Sequence, residues 1–276
     1  MTATCPPPLR SEILSTLGID TCHVIHAPTD RPEISYNVRL SPTLDEAKES
    51  LVKVVKERLN KKNPSSFQGL VYCRSTDAVE ELAEMIGCMP FHAGRPKEER
   101  KMSFRDWVDG KQTFMVCSSL MGCGVDVEGV TVVFHFGTPW SILDFVQESG
   151  RAGRSGKASL SIIYAAVNER EPDRSDGELY RAASMREWVL QMSACRRIAL
   201  SSFLDNCHTT CTLLKGATPC DVCIAESMKP HPGRLVPFPT LTVPTGNIPG
   251  PKLLPTIPPT SMEYAISRSL PSQAVR

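Results

Sequence analysis

The sequence of 276 residues has neither a long hydrophobic run nor an excess of one charge. Because no run of about 18 apolar residues occurs, no membrane-spanning helix is expected. The formal net charge is +1, so any surface that binds nucleic acid must be a local patch. The amino-terminal residues lack a basic segment followed by an apolar one, and no secretory signal is predicted there.

The sequence also lacks a phosphate-binding loop of the form G-x-x-x-x-G-K-[ST]. The nearest stretch, residues 150–157, is one residue too long, and Ala158 follows it where the motif needs a hydroxyl. Residues 45–48 have the letters of a metal-binding carboxylate box, but they open a helical pattern and are interpreted as a helix amino terminus with favourable acids. The sequence therefore contains no recognisable means of holding the phosphates and magnesium of a nucleotide by itself.

What is present first is a pattern of short apolar runs alternating with helical segments up to about residue 167. The predicted strands are residues 23–26, 69–73, 89–92, 113–117, 130–136 and 160–164, and the predicted helices are residues 44–59, 76–86, 97–108 and 142–148. With 41% hydrophobic residues, the chain can bury a substantial core. The alternation predicts an α/β fold with a mostly parallel sheet and helices on both faces.

The remainder of the chain has a different composition. Residues 175–225 are predicted to form helices and then a cysteine-rich loop. Residues 228–276 contain 11 of the 23 prolines, so this tail is predicted to be disordered or partly extended as polyproline II. A site for a proline-recognising protein partner is the alternative interpretation of the tail.

Five of the eleven cysteines fall within residues 195–223. Without a secretory signal, clustered cysteines favour a metal site over disulfides. Cys220 and Cys223 form a C-x-x-C pair that can give two thiolates to one tetrahedral zinc, and more distant cysteines would complete four ligands. Free buried cysteines are the alternative interpretation.

A second motif, residues 147–154, places two arginines among small residues. Arg151 and Arg154 are three positions apart, so on a helix they would project from one face. Guanidinium groups present forked donors that match phosphate oxygens, and the neighbouring glycines let backbone approach closely. Taken alone, the pair is also typical of a solvated junction between a helix and a loop.

The order of the motifs is more specific than any one of them. They are Leu70–Ser75, His92–Gly94, Arg100, Gly122–Asp126, His135–Pro139 and Gln147–Arg154. In this order they resemble the second RecA-like domain of superfamily 2 helicases, and more narrowly the RecQ family of 3′-to-5′ DNA helicases, over about residues 1–225. One motif departs from the family pattern, since Ser118-Ser119 and Cys123 replace the usual Ala-Thr and Met.

The resemblance implies roles for these residues. Arg151 and Arg154 would reach the γ-phosphate of ATP across a cleft, one of them as an arginine finger, with Gln147 organising that interface. Other nucleotide-coupled positions implied by the motifs are Gly124, Asp126 and Gly150, and the nucleic-acid contacts are Arg74, Ser75, Ser118 and Ser119. His92 is interpreted equally well as a packed histidine at a strand end.

The family also carries a helical zinc subdomain with a Cys-Arg-Arg start and a Cys-Asp-x-Cys end, as at residues 195–197 and 220–223. The predicted zinc ligands are Cys195, Cys211, Cys220 and Cys223, with Cys207 and His208 as alternates. We expect Arg196 and Arg197 to brace the subdomain, with phosphate contact as the alternative.

The resemblance divides the chain into an inter-lobe segment at residues 1–40, a helicase C-terminal RecA-like domain at 41–170, a zinc-binding subdomain at 175–226 and the proline-rich tail. It implies a nuclear ATP-dependent helicase acting on single-stranded or junction DNA in recombination and repair, with zinc and magnesium-ATP as cofactors and no membrane partner. The ATP-binding first lobe is not found in the sequence, so we expect the chain to be the C-terminal half of such a helicase and inactive alone. A free-standing DNA- or partner-binding module is the alternative; a related protein acting on RNA is disfavoured by the zinc pattern.

Overall fold

The computed structural model of the chain describes residues 5–60, 68–119, 127–169 and 184–228. All of them belong to one compact unit, Met1–Pro230, and the other unit is His231–Arg276. The predictions for Gly124, Asp126 and residues 229–276 of the tail lie outside the described residues.

Among the described residues, a parallel sheet forms the centre of the fold. Its strands are β1 Ile34–Ser41, β2 Gln68–Cys73, β3 Pro90–Phe91, β4 Phe114–Cys117, β5 Val130–Phe136 and β6 Ser159–Ala166. Their spatial order is β1-β6-β5-β2-β4-β3, and every neighbouring pair is parallel. The predicted α/β fold class is confirmed.

Helices connect these strands and continue beyond them. They are α1 Pro7–Thr16, α2 Leu44–Leu59, α3 Thr76–Ile86, α4 Lys97–Val108, α5 Ile142–Ser149, α6 at residues 184–190, α7 Arg196–Asp205 and α8 Asp221–Ser227. At the start of α2, the Thr43 hydroxyl accepts a hydrogen bond from the Glu46 amide at 3.2 Å. Asp45 and Glu46 occupy the first turn, so residues 45–48 are a helix amino terminus, as predicted. No helix in the described ranges is both long and apolar enough to cross a membrane.

The edge of the sheet differs from the sequence prediction. Residues 23–26, predicted as a strand, contain none, and β1 forms the edge instead. Each residue of β1 pairs with one of β6, from Ile34 with Ser159 to Ser41 with Ala166. The backbone amides and carbonyls of β1 have hydrogen-bond partners on β6, whereas residues 23–26 are not part of a strand. This pairing explains why β1 is the strand.

Apolar residues cover both faces of the sheet. Alternate residues of β2 point to opposite sides, as the strand period requires. Val71 packs in a buried cluster with residues of α2 and α3, whereas Leu70 and Tyr72 pack with Trp107 of α4. On the same face as Tyr72, towards the β1 edge, Phe145 of α5 packs with Trp188 of α6. These layers fix the ends of the strands and of α5, from which the candidate site residues project.

Candidate functional site

The four cysteines predicted as metal ligands lie together. Their sulfur atoms are all within 4.8 Å of one another, in the set Cys195, Cys211, Cys220 and Cys223. The Sγ of Cys195 is 3.5 Å from that of Cys211 and 3.9 Å from that of Cys220. Thiolates bound tetrahedrally to zinc at about 2.3 Å would be about 3.8 Å apart, so the cluster has the size and donor chemistry of a four-thiolate zinc centre.

Local structure holds these sulfurs in place. Cys195 precedes α7 and Cys220 precedes α8, so Cys223 falls in the first turns of α8. The amide of Cys211 donates to the Sγ of Cys195, and the amide of Cys220 donates to the Sγ of Cys211, both at 3.3 Å. Hydrogen bonds from backbone amides stabilise thiolates, as in other sulfur-ligated metal sites.

The electrostatics of the cluster also favour a bound cation. Hydrogen bonding with Cys195 and then Cys211 lowers the pKa of the Cys220 thiol. Burial raises the pKa of Cys223 to about 12, and the nearby Cys220 adds to the rise. Several thiolates so close together repel one another, and a divalent metal ion would remove that repulsion.

The two alternate ligands are not members of this cluster. The Sγ of Cys207 lies 3.4 Å from the Thr209 hydroxyl and 3.8 Å from the Ser201 carbonyl oxygen. His208 is exposed. Among the described residues, the group able to hold a metal is the four-cysteine set.

A buried arginine joins the cysteine cluster to the sheet. The guanidinium of Arg196 contacts the carboxylate of Asp221 at 3.0 and 3.2 Å and donates to the Trp188 carbonyl at 2.7 Å. The same carboxylate accepts from the Val38 amide of β1 at 2.9 Å. Arg196 and Arg197 are each 2% exposed, so they brace the subdomain and are not available to phosphate in this conformation.

The two motif arginines lie after a helix rather than on it. Helix α5 is capped by Ser141, whose hydroxyl accepts from the Asp144 amide at 3.1 Å, and it ends at Ser149. Residues 150–155 form turns, which we call the arginine turn. Arg151 and Arg154 thus lie beyond the helix predicted at residues 142–148, so the one-face arrangement that a helix would give them does not apply.

Within the arginine turn, Arg151 is half-buried and Arg154 is exposed, and Gln147 is exposed on the preceding helix. Burial raises the pKa of the Tyr72 hydroxyl on β2. The positive charges of both arginines act in the opposite direction and lower it. Gly150 allows a close approach, because a Cβ there would lie 2.9 Å from the Val146 carbonyl oxygen. Gln147 thus lies on α5 just before the arginine turn, and the two arginines follow within that turn, near Tyr72 of the sheet.

Arg74, predicted to contact nucleic acid, is fixed by a carboxylate that the sequence did not single out. Its Nη2 lies 2.5 Å from Oε1 of Glu169, and its guanidinium lies 5.1 Å from the centre of the Trp140 ring. Glu169 also accepts from the Thr138 amide and hydroxyl at 3.0 Å. In the sequence, Glu169 is an acidic residue shortly after a strand, and this pattern is too common to predict a contact with Arg74.

The three serines predicted to contact nucleic acid have different surroundings. The Ser75 hydroxyl accepts from the Ala78 amide at 3.2 Å and caps α3, as its place before a helical pattern suggested. The Ser118 amide donates to the Phe91 carbonyl at 3.1 Å, and Ser119 is exposed. Ser75 and Ser119 are therefore exposed, whereas Ser118 is half-buried.

His92 is packed within a polar network. Its Nε2 lies 2.7 Å from Glu80 Oε1, and its Nδ1 accepts from the Gly94 amide at 3.2 Å. The residue is 6% exposed. Arg95 shares the Glu80 carboxylate, with its Nε 2.6 Å from Oε1. These contacts favour the packed-histidine interpretation.

Comparison with known proteins relates this geometry to helicases. The family of the helicase conserved C-terminal domain matches residues 48–156. The chain is 28% identical over 241 residues to a putative ATP-dependent DNA helicase Q1 of Caenorhabditis briggsae, which covers 83% of the chain and 38% of that relative. It is 26% identical over 240 residues to the ATP-dependent DNA helicase RecQ of Pasteurella multocida, covering 81% of the chain and 36% of the relative. The chain thus spans little more than a third of the length of these relatives.

A further relative and a solved structure agree with these matches. The ATP-dependent DNA helicase Q5 of Rattus norvegicus is 29% identical over 180 residues, or 62% of this chain and 18% of that protein. The structure of Saccharomyces cerevisiae Dbp5 L327V bound to RNA and ADP BeF3 superposes with a TM-score of 0.54 at 11% identity, covering 68% of this chain and 48% of that one. That structural likeness shows a shared RecA-like helicase fold.

Proposed function

We propose that this chain is a RecQ-type helicase segment and that it supplies the second RecA-like lobe of an ATP-dependent 3′-to-5′ DNA helicase. The observation that carries the proposal is the arginine turn at the end of α5, with Gln147, Arg151 and Arg154 around it. All of that turn falls within the matched domain, which ends at residue 156.

The proposed chemistry is stabilisation of charge on a phosphoryl group in transfer. One of Arg151 and Arg154 acts as an arginine finger on the γ-phosphate, and Gln147 orders the interface. Guanidinium groups aimed at developing negative charge give large rate effects in such reactions. Gly150, Gly124 and Asp126 take the nucleotide-coupled roles implied by their motifs.

The proposed arginine finger needs an opposite wall. Nucleotide binding in this class requires a lysine and backbone amides around the β- and γ-phosphates, and a carboxylate for magnesium. The given sequence has no G-x-x-x-x-G-K-[ST] loop. We therefore propose that the 276-residue chain by itself does not hydrolyse ATP, and that another polypeptide segment supplies the site for magnesium-ATP.

We propose a structural zinc ion on Cys195, Cys211, Cys220 and Cys223. Support comes from the spacing of the four sulfur atoms and from the amides directed at them. Zinc there would contribute folding free energy, and four thiolates would hold it, while the ion pair of Arg196 with Asp221 joins the two helices that begin beside Cys195 and Cys220.

We propose that DNA passes along the surface that carries Arg74, Ser75, Ser118 and Ser119. Support comes from the guanidinium of Arg74, which is held in one orientation by Glu169 next to the Trp140 ring. Arginine in a fixed fork suits phosphate, and an aromatic ring suits a base. A nuclear role in DNA recombination and repair follows from the resemblance and belongs to the same proposal.

The test is ATP turnover with single-stranded DNA. The purified chain alone is expected to show no turnover, whereas addition of the separate first lobe of a RecQ-type helicase is expected to give DNA-stimulated turnover. Arg151→Lys and Arg154→Lys should abolish that turnover, because lysine lacks the forked donors. The control is Arg39→Lys, an exposed arginine of β1 that should retain it. DNA-stimulated turnover by the chain alone would contradict the proposal, and tight binding of single-stranded DNA without any turnover in the mixture would favour a binding module.

A further inference from the structure

One short segment, residues 31–35, contacts both the cysteine-rich region, residues 184–228, and the arginine turn. On the first side, the buried Arg197 donates from Nη1 to the Arg31 carbonyl at 3.0 Å and from Nη2 to the Ile34 carbonyl at 2.7 Å. The Thr218 amide donates to the Pro32 carbonyl at 2.8 Å. The cysteine-rich region therefore fixes the backbone of this segment, which we call the joint.

On its other side, the joint holds the arginine turn. The guanidinium of Arg31 donates from Nη1 to the Gly150 carbonyl at 3.1 Å and from Nη2 to the Ala152 carbonyl at 2.9 Å. These two carbonyls flank Arg151 in the chain. The Nε of Arg31 lies 2.5 Å from Glu33 Oε1, which fixes the plane of the guanidinium.

A second contact brings the joint against the same turn. Gly153 has a φ of +73°, and a Cβ at this position would lie 2.7 Å from the Cγ of Glu33. The turn and the stem of Glu33 are therefore packed directly, with no room for a side chain at residue 153. The Gly153 amide donates to the Val130 carbonyl at 3.0 Å, which ties the turn to the start of β5.

We infer that Arg31 is a positioning residue for Arg151, and that the four-cysteine cluster sets the arginine turn through Arg197 and Arg31. Arg197 is two residues from Cys195, at the start of the same helix, so a change at the metal ligands moves its guanidinium. Arg31 joins the carbonyls on both sides of Arg151, a forked contact that a lysine cannot reproduce. The catalytic meaning of this link rests on the proposed function, but the link itself is a property of the chain.

The inference is tested by hydrogen exchange of backbone amides in the full zinc-loaded chain. In Arg31→Ala, the amides of Ala152 and Gly153 should exchange roughly tenfold faster or more, since two hydrogen bonds from a charged donor are lost. Amides in the middle of β2 serve as an internal control and should change little. A general loss of stability would accelerate their exchange as well. The matched control is Arg39→Ala, an exposed arginine on β1, which should leave the turn unchanged.

Removal of zinc with a chelator supplies the second arm. In the wild-type chain, chelation should accelerate exchange in the arginine turn, and Arg197→Ala should do the same with zinc bound. In Arg31→Ala, chelation should add less acceleration in the turn than in the wild type, because only the contact of Glu33 with Gly153 still joins the two segments. The inference is overturned if chelation leaves the wild-type turn unchanged, or if it accelerates the turn equally with and without Arg31. Should Arg31→Ala fail to fold, Arg31→Lys is measured in its place. A smaller acceleration is expected in that variant, and unchanged exchange in the turn would overturn the inference. Exchange needs no nucleotide, so failure here is distinguishable from failure of the ATP turnover experiment.

Discussion

The sheet and the cysteine-rich region are stabilised in different ways. In the sheet, large apolar side chains are buried, and the rings of Phe114 and Phe134 stack with their centres 5.9 Å apart. In the cysteine-rich region, residues 184–228, the largest fully buried side chains include Arg196 and Arg197. Apolar burial does not depend on an ion, whereas buried guanidinium groups require partners in fixed positions.

The difference teaches that the two regions should respond to different perturbations. Removing a methylene from the sheet costs a definite amount of burial free energy and leaves the rest of the sheet in place. Removing a metal ligand or a charged partner from the cysteine-rich region leaves charges without compensation. The predictions below apply one or the other kind of change and ask which region responds.

The largest effect is expected from Cys220→Ser. The change removes one of four metal ligands, and structural zinc contributes about 10–16 kcal/mol of apparent binding free energy in small zinc domains. We expect loss of bound zinc and protease cleavage within residues 195–223, measured by metal analysis and limited proteolysis. The matched control is Cys207→Ser, outside the cluster, which should keep the metal. Equal zinc content in both variants would contradict the assignment of Cys220, and not Cys207, as a metal ligand.

A large but smaller effect is expected from Arg196→Ala. This change leaves the Asp221 carboxylate without its buried cation, and breaking such a pair costs about 3–5 kcal/mol. Urea unfolding of the chain, followed by tryptophan fluorescence, to which Trp188 contributes, should shift to lower denaturant. Adding Asp221→Asn should recover part of the loss, because the uncompensated charge is removed. An unchanged midpoint in the single variant would show that the pair is not needed.

In the sheet, Ile162→Val should have a moderate effect. Ile162 is 7% exposed in the cluster with α2 and α3, and loss of one buried methylene costs about 0.5–1.5 kcal/mol. Thermal unfolding should begin at a lower temperature while the zinc content stays the same. Zinc loss from this variant would mean that the two regions are not separately stabilised.

The smallest effect concerns Glu80 and pH. Arg95 and then His92 lower the pKa of the Glu80 carboxyl to about 2. Because the folded-state pKa is depressed, the contribution of Glu80 is present above its unfolded value near pH 4.5 and is lost as the pH falls towards 2. Glu80 is partly exposed, so solvent screening keeps the contribution small. The difference in urea midpoint between wild type and Glu80→Gln should shrink from pH 5 to pH 2.5, and a constant difference would contradict the assignment.

The sequence predicted most of the sheet because buried parallel strands read as apolar runs. Residues 130–136, for example, are a run of β-branched and aromatic residues and form β5. Residues 23–26 were predicted to be a strand and β1 was not, although β1 alternates polar and apolar residues; its partner β6 lies over a hundred residues away in the chain. Periodicity along the chain does not reveal that partner.

The candidate site divides in the same way. The four cysteines could be selected from spacing and resemblance, because metal ligands are rare residue types with a fixed geometry. Arg31 and Glu169 could not, since Arg31 binds backbone carbonyls at Gly150 and Ala152, and backbone acceptors leave no mark on the sequence. Long-range contacts thus account for what was missed, to main chain for Arg31 and to the Arg74 side chain for Glu169.

The most direct test of the difference between the two regions is hydrogen exchange of the whole chain before and after zinc removal. The account predicts that amides of residues 195–223 lose their protection on chelation, while those in the middle of β2 and β5 keep theirs. Retained protection of residues 195–223 in a metal-free chain, or equal loss across the sheet, would contradict it.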